Sequence, residues 1–347
     1  MKNTLTTSLL VLAAATAVHT ATSAQKADST RGDRTPQEIL SPRQVLDRSL
    51  VRLRTVNEDR YSERKLLIYH DMFETLEAAP TLVPSVPSIL RSNPHASNSL
   101  IHVLEDLGTR SAQRALSTIA SDVTFEHDDR LRAVIGLGSV EAPTPASLST
   151  LWLVATERST PEGVELSNTS LLSMGAAGSR LKVGTPVYTT LTQGLVDAVN
   201  RTPSSHLRAT LLKAIGNLHN PAFGSAVVPH LQDERAPVRA AAAQAIGMLQ
   251  DSDQRDFLVN MLPNEPRGAV RASIVNAIRK LPASDFTLRS IDDYVHVEPH
   301  PYARAAMVRY LVEHFHDFDG ARGTLLELVE TDPSQQVRVL ASYAMRN

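Results

Sequence analysis

A helical pattern of apolar, small and charged positions recurs every 30 to 41 residues along this chain. It is clearest at 238–247 (Val-Arg-Ala-Ala-Ala-Ala-Gln-Ala-Ile-Gly), where small or apolar residues lie three, six and seven positions after the arginine. Offsets of three and seven fall on one stripe of an α-helix, and a small residue at the sixth position lets an adjacent helix approach closely. The pattern therefore predicts repeated helices that each bury one face.

The position of the arginine, called here the arginine slot, can be followed through eight copies. Other residues occupy it in two of them, so that the slots in order are Leu100, Arg130, Ser167, Arg208, Arg239, Arg271, Arg304 and Arg338. One such unit is too small to bury its own apolar face, so neighbouring units must stack. The predicted fold is all-α: a solenoid of stacked antiparallel helix pairs.

An acidic residue lies six positions before each of the last four slots, in the turn that precedes the helix. There a carboxylate can cap backbone N–H groups, and the arginine can reach the acid of its own or the next repeat. An arginine stripe for an acidic partner is the alternative. We favour a structural ladder of Asp233, Arg239, Glu265, Arg271, Glu298, Arg304, Asp332 and Arg338. We expect six alanines to pack helix against helix: Ala214, Ala242, Ala245, Ala277, Ala341 and Ala344.

The segments 233–239 (Asp-Glu-Arg-Ala-Pro-Val-Arg) and 332–338 (Asp-Pro-Ser-Gln-Gln-Val-Arg) resemble HEAT repeats, whose second helix typically opens with an acid, often a proline, and Val-Arg. The resemblance is good over 201–347 and degenerate over 96–200. It implies paired antiparallel helices in a right-handed superhelix, with inner helices lining a concave face.

A more distant resemblance covers the middle of the chain. The segments 107–112 (Leu-Gly-Thr-Arg-Ser-Ala), 143–148, 171–175 and 214–221 are similar, in order and approximate spacing, to the helical domain of vitellogenin-type large lipid transfer proteins. No region reads as the β-barrel or the lipid-enclosing β-sheets of that family. This resemblance implies lipid binding or transport as an alternative function.

The N-terminal residues predict export. Lys2, the apolar run 9–15 and the small residues 22–24 have the order of a signal peptide, cleaved before Gln25. We therefore predict a signal peptide at 1–24, a disordered linker at 25–40 and a solenoid at 41–347. Within the solenoid, 41–95 form capping helices, one of them from Asp59 to Glu77. A periplasmic or extracellular location follows.

Composition removes several classes of function. The absence of cysteine excludes disulfides and thiolate metal sites. A net charge of −2 and an aromatic content of 4% give no electrostatic or stacking surface for nucleic acid or anionic membranes. We expect Gly175, Gly178, Gly184, Gly216 and Gly247 to end helices with positive φ.

Histidines near the C-terminus are the first candidates for a metal site, namely His296, His300, His314 and His316, with Asp317 and Asp319 beside them. Pro299 and Pro301 predict a turn between the first two, and His314 and His316 would point about 200° apart on a helix. Surface histidines are the preferred interpretation. No nucleophile elbow, zinc-binding His-Glu-x-x-His or phosphate loop is present. No catalytic, cofactor-binding or metal-binding residue is therefore predicted.

These observations predict an exported, non-catalytic scaffold that binds another macromolecule, preferably a protein, on its concave face. Lipid carriage is the alternative, with the proline-interrupted stretches 80–95 and 180–190 as candidate mouths. The two differ in what they require: a polar, charged face favours a protein partner, and a deep apolar groove favours a lipid.

Overall fold

The structure is a computed structural model, and it describes residues 40–56, 63–316 and 318–344. In these ranges the regular structure is entirely helical, which confirms the predicted all-α solenoid. The α-helices are α1 (Pro42–Leu53), α2 (Glu63–Ala78), α3 (Val86–Ser92), α4 (Ser97–Leu107), α5 (Arg110–Ser121), α6 (His127–Ser139), α7 (Pro145–Val154), α8 (Pro161–Gly178), α9 (Pro186–Arg201), α10 (Ser205–Gly216), α11 (Gly224–Val227), α12 (Ala236–Leu249), α13 (Arg255–Met261), α14 (Gly268–Ile278), α15 (Asp285–Val295), α16 (Pro301–Glu313), α17 (Asp319–Thr331) and α18 (Gln335–Tyr343).

The second helix of each pair packs on the second helix of the next pair. This series runs α4, α6, α8, α10, α12, α14, α16 and α18, and every arginine slot lies in it. The first helices of the pairs, such as α5, α7, α9, α15 and α17, pack on the second helices from the other side. A continuous hydrophobic core follows the stack from Leu46 to Ala344.

Local sequence signals start the helices. Thr109, Thr160 and Ser204 each accept a hydrogen bond from a backbone N–H in the first turn of the helix that follows. Thr144 and Ser147 form a capping box at α7. Such caps satisfy N–H groups that have no partner inside the helix. Prolines occupy the first helical position of α7, α8, α9 and α16, where a missing N–H costs nothing.

The glycines of the second helices act differently from our expectation. Among the described glycines only Gly108 and Gly184 have positive φ, so the prediction was wrong for the other four. A Cβ on Gly175 would lie 2.0 Å from the carbonyl oxygen of Ala214, and one on Gly247 would lie 2.7 Å from the Cα of Ala277. Gly178 and Gly216 are similarly close to the next repeat. These glycines are required because neighbouring helices approach closely.

Helix boundaries near the N-terminus also differ in detail. The helix expected from Asp59 to Glu77 runs from Glu63 to Ala78 among the described residues. The stretch 80–95 consists of a 3₁₀ turn (Pro80–Ser85), α3 and the start of a second 3₁₀ turn (Pro94–Ala96), and Val83, Val86, Ile89 and Leu90 are buried. The predicted signal peptide, and the linker apart from its last residue, lie outside the described residues. No helix in the described part of the chain is long and apolar enough to cross a membrane.

Candidate interaction surface and arginine ladder

Buried arginines join consecutive repeats through paired hydrogen bonds. Nε and Nη2 of Arg239 donate to the carboxylate of Glu265 at 2.7 and 2.8 Å. Arg271 binds Glu298 in the same way at 2.5 Å for both bonds. Arg304 binds Asp332 at 2.8 and 3.0 Å. Each arginine therefore uses two nitrogens for the acid of the next repeat, the bidentate geometry that makes such pairs strong.

The third nitrogen of each guanidinium serves the arginine's own repeat. Nη1 of Arg239 donates to the backbone carbonyl of Asp233 at 2.9 Å, and Nη1 of Arg271 to that of Glu265 at 2.7 Å. Arg304 and Arg338 repeat this contact with Glu298 and Asp332. The turn before each second helix is thus held by its own arginine and by that of the preceding repeat.

The acids of the ladder also cap backbone N–H groups two residues later. Glu265 accepts from the N–H of Arg267 at 2.9 Å, and Asp233 from that of Arg235 at 2.8 Å. Burial raises the pKa of Glu265, but hydrogen bonds from Arg239 and from the Arg267 N–H outweigh it and lower the pKa overall. The same balance lowers the pKa of Asp233. Both acids are consequently ionised in the folded protein at neutral pH.

The ladder extends upstream and has one interruption. Arg208 donates to Asp233 at 2.7 Å, and Nη2 of Arg130 donates to both carboxylate oxygens of Glu157. At the intervening slot, Ser167 donates to the carbonyl of Ala155 instead. At the other end, Arg338 contacts no carboxylate among the described residues.

The six alanines that we expect to pack helix against helix are buried. Ala214, Ala242 and Ala245 are fully buried, and Ala277, Ala341 and Ala344 are at most 6% exposed. Three of them lie close to a glycine of the preceding second helix, namely Ala214 near Gly175, Ala245 near Gly216 and Ala277 near Gly247.

The opposite side of the second helices forms a surface, which we call the second-helix face. It comprises the positions two before, five after and nine after each slot, together with those two after a slot that are exposed or half-buried. At 100° per residue these positions point away from the slot. The members five residues after the slot are Glu105, Ile135, Leu172, Lys213, Gln244, Asn276, Arg309 and Tyr343, and all of them are exposed or half-buried.

Polar side chains connect neighbouring helices along this face. Asn168, which lies beside the face, hydrogen-bonds His206 of the face at 3.2 Å, linking α8 to α10. Gln244 bonds Ser273 at 3.4 Å between α12 and α14. Nε of Arg279, the residue that follows α14, donates to Glu313 of α16 at 3.1 Å. Bonds at or beside the face thus join three adjacent pairs of second helices, and most members of the face are polar.

A separate apolar groove lies between two first helices, α7 and α9. Its volume is about 590 Å³, and it is lined by Pro145, Leu148, Ser149, Trp152, Pro186, Val187, Thr190, Leu191 and Gly194. Trp152, the single tryptophan of the chain, is 40% exposed there. No charged side chain lines the groove. Part of the lining comes from the proline-interrupted stretch 180–190.

The groove follows from uneven spacing of two adjacent repeats. Gly175 and Ala214 bring α8 and α10 into close contact. On the other side of these repeats α7 and α9 stand apart, and Gly194 leaves room for the Trp152 ring, 3.7 Å from where a Cβ would be. Sequence reasoning missed this site. Its available signals were the lone tryptophan and the prolines that start α7 and α9.

The four C-terminal histidines do not converge. His296 lies 3.3 Å from Thr324, and His300 stacks near Tyr302. The ring of His314 packs edge-on against Tyr310, and that of His316 against Phe315. No group of three or more potential metal ligands occurs within the described residues, and Asp317 is outside them.

The profile of HEAT repeats matches residues 192–279. This part of the chain carries HEAT repeats. It is also similar to the structure of human deoxyhypusine hydroxylase in complex with glycerol, at 14% identity over 88% of this chain and 96% of that one, with a TM-score of 0.30. A second similar structure is the complex of CpcE and CpcF of phycocyanin lyase from Nostoc sp. PCC7120, at 15% identity over 93% and 99%, with a TM-score of 0.32. No curated protein matches the sequence. Nothing among these matches supports the vitellogenin-type resemblance.

These similarities correct one prediction from the sequence. We predicted a non-catalytic protein, whereas the two similar structures are those of a hydroxylase and a lyase. That prediction is wrong: the absence of a local motif does not exclude an active site assembled from distant repeats. Absence of catalysis forms no part of the function proposed below.

Proposed function

We propose that this HEAT-repeat protein binds another protein through its second-helix face, and that it does so after export. The polar character of that face and its extent over several repeats carry the proposal. Side chains of neighbouring repeats are hydrogen-bonded at or beside it, so an extended partner would contact several linked repeats at once. Buried arginine ladders and alanine contacts hold the helices that present it, and such rigid support favours specific binding.

Photo-crosslinking in the source cells tests this function. A benzoylphenylalanine at Asn276, exposed on the face, is expected to capture one main protein. The same group at Arg289, exposed on the first helix α15, is the matched control and should not capture it. A Gln244→Trp substitution on the adjacent helix should remove the product. Identical products from both positions, or none from Asn276, would contradict the proposal.

The α7–α9 groove supports a second candidate function, binding of a neutral apolar ligand. Its volume lies in the range of small-molecule sites, roughly 300–1,000 Å³, which are also mainly apolar. The indole N–H of Trp152 and the hydroxyl of Thr190 have no hydrogen-bond partner in the described part of the chain. An apolar molecule with one hydrogen-bonding group would fill the groove and bond to the indole N–H of Trp152 or the hydroxyl of Thr190.

The lone tryptophan makes this candidate easy to test. Titration with 1-decanol should shift the fluorescence of Trp152 saturably if the groove binds such molecules. Thr190→Arg should abolish the shift, and Thr189→Arg, an exposed neighbour outside the lining, should leave it unchanged. A linear, unsaturable response, together with no lipid in mass spectra of the purified protein, would reject this function.

A further inference from the structure

Charge is divided unevenly between the two halves of the second-helix series. Helices α4, α6 and α8 carry six carboxylates and two arginines. Helices α10, α12, α14, α16 and α18 carry a single carboxylate, Glu313, with six arginines and one lysine. The sign of the charge changes between α8 and α10.

Internal ion pairs leave this asymmetry in place on the surface. The ladder acids neutralise Arg208, Arg239, Arg271 and Arg304. The face itself keeps acids at its N-terminal end and bases at its C-terminal end. The acids are Glu105, Asp128 and Glu165, and the bases are Lys213, Lys280 and Arg309.

The acidic end is accessible to a partner. The Asp128 side chain is 74% exposed, and that of Glu165 is 61% exposed. A hydrogen bond from His102 lowers the pKa of Glu105 against the opposing effect of burial. Arg132, the one basic member here, lies 3.3 Å from the carboxylate of Asp129 and 3.8 Å from that of Asp128, so both acids reduce its effect on a partner.

The basic end is equally available. Lys213 and Lys280 are exposed, and neither has a hydrogen bond or an ion pair within the described ranges. Glu313, the one acidic member, is bound to Arg279. Since exposed charges of one sign attract and orient an oppositely charged partner, the two ends favour different parts of one ligand.

We propose that the partner of the second-helix face is a polypeptide segment of opposite charge polarity, with basic residues against α4, α6 and α8 and acidic residues against α10, α12, α14 and α16. This inference rests on the proposed protein-binding function and adds the chemistry and direction of the partner. Packed helices lie about 8–10 Å apart, so α6 and α14, four steps apart, are roughly 32–40 Å apart along the stack. An extended segment of about 12 residues spans that distance.

Synthetic peptides test the direction. One peptide carries a block of lysines and a block of glutamates separated by about 12 Gly/Ser residues, and a second has the same composition with the charges alternating. The block peptide is expected to bind about tenfold more tightly at low salt and to lose this advantage as ionic strength rises past about 0.5 M. A photo-crosslinker beside its lysines should label α4, α6 or α8, and one beside its glutamates α10 to α16. Equal binding of the two peptides, or reversed labelling, would overturn the inference.

Charge-reversed variants supply the second arm. Asp128→Lys with Glu165→Lys should weaken the block peptide about tenfold, and Lys213→Glu with Lys280→Glu should do the same. Asp285→Lys with Asp293→Lys, exposed on the first helix α15, is the matched control and should change nothing. All three variants should keep the wild-type melting temperature, since none removes a ladder contact.

The two proposals fail in different ways. If Asn276 captures a cellular protein and neither face variant alters that capture, the charge-polarity inference is wrong and the binding function stands. If Asn276 captures nothing and the block peptide does not bind, both are wrong. Binding of a second copy of this chain would appear as self-crosslinking from Asn276, and it would contradict the proposed peptide partner.

Discussion

At the scale of single residues, the ladder arginines bind their carboxylates largely out of solvent. Arg271 is 6% exposed and Glu298 2% exposed, so their contact is almost free of solvent. Removing one member of such a pair leaves the other as a buried, uncompensated charge, which costs much more than losing a surface ion pair. Sequence alone suggested the pairing but gave no measure of this burial.

We predict that Arg271→Ala lowers the free energy of unfolding by about 3–5 kcal/mol. The carboxylate of Glu298 would keep only the backbone N–H of His300, at 2.7 Å. Arg43→Ala is the control, because its i,i+4 pair with Asp47 is half-exposed and should contribute about 0–1 kcal/mol. Urea denaturation measures both. The double variant Arg271→Met, Glu298→Met should recover most of the loss, and equal effects of the two single variants would contradict a buried ladder.

The ladder acids also predict how stability depends on pH. The pKa values of Asp233 and Glu265 are lowered in the folded state from 3.8 and 4.5. Their contribution is therefore complete above the unfolded values and is lost as pH falls through the folded ones. Urea midpoints should be constant near neutral pH and should fall below about pH 4.5. Arg239→Met should make that fall shallower, and an unchanged slope would count against the ladder as its origin.

The ionised carboxylate of Asp251 should lower the stability of the fold, whereas those of Asp233 and Glu265 raise it. Burial raises its pKa above 3.8 and no cation pairs with it in the described residues, so its charge destabilises the fold above the folded pKa. Asp251→Asn keeps an acceptor for the N–H of Asp253 and removes the charge. The variant should be at least as stable as wild type at neutral pH, measured by urea denaturation. A clear loss of stability would show that the carboxylate is needed for another reason.

At the scale of helices, close approach decides which small residues can be changed. A Cβ on Gly175 would meet the backbone of Ala214, whereas Gly323 in α17 has open space around it. Ala242 in α12 is fully buried. Replacing glycine by alanine should therefore lower the stability of the fold at Gly175 and raise it at Gly323.

We predict that Gly175→Ala and Ala242→Leu each destabilise by about 1–3 kcal/mol through overpacking. Gly323→Ala, the control, should stabilise by up to about 1 kcal/mol because alanine favours the helix. Thermal melts monitored by circular dichroism distinguish these signs. A Gly175→Ala protein that melts like Gly323→Ala would show that α8 and α10 are not in close contact.

The sequence predicted the helices better than their spacing. The apolar stripe and the prolines located most second helices, because burial and proline geometry act within one helix. The glycines were misread, because glycine at the end of an apolar stripe can serve either a turn or a neighbouring helix. The groove beside Trp152 depends on how far α7 and α9 stand apart, which no local pattern records. The polar character of the second-helix face could be predicted, because the slots locate its members in the sequence and most of these are polar.

At the scale of the whole molecule, export remains a prediction. The order of Lys2, the apolar run 9–15 and the small residues before Gln25 favours a cleaved signal peptide. Protein isolated from the periplasm or the medium should begin at Gln25 in N-terminal sequencing. Protein from the cytoplasm that retains Met1 would contradict it. Lys2→Glu should slow processing, because the positive start of the segment would be lost.

Stacked repeats touch only their neighbours, so a local defect should remain local. In such a fold stability is close to a sum of repeat and interface contributions. The ladder runs unbroken from Arg208 to Asp332, and Ser167 interrupts it upstream. A weakened rung within the unbroken part should therefore loosen the helices on that side of the interruption first.

Hydrogen exchange measured by mass spectrometry tests this expectation. In Arg271→Ala, amides of α12, α14 and α16 should lose protection, because these helices meet at the broken rung. Amides of α4 and α6, which lie beyond Ser167, should exchange as in the wild type. The matched variant Arg130→Ala, which removes the contact with Glu157, should produce the reverse pattern. If either variant raised exchange evenly from α4 to α18, the solenoid would unfold as a single cooperative unit, and the interruption at Ser167 would have no energetic meaning.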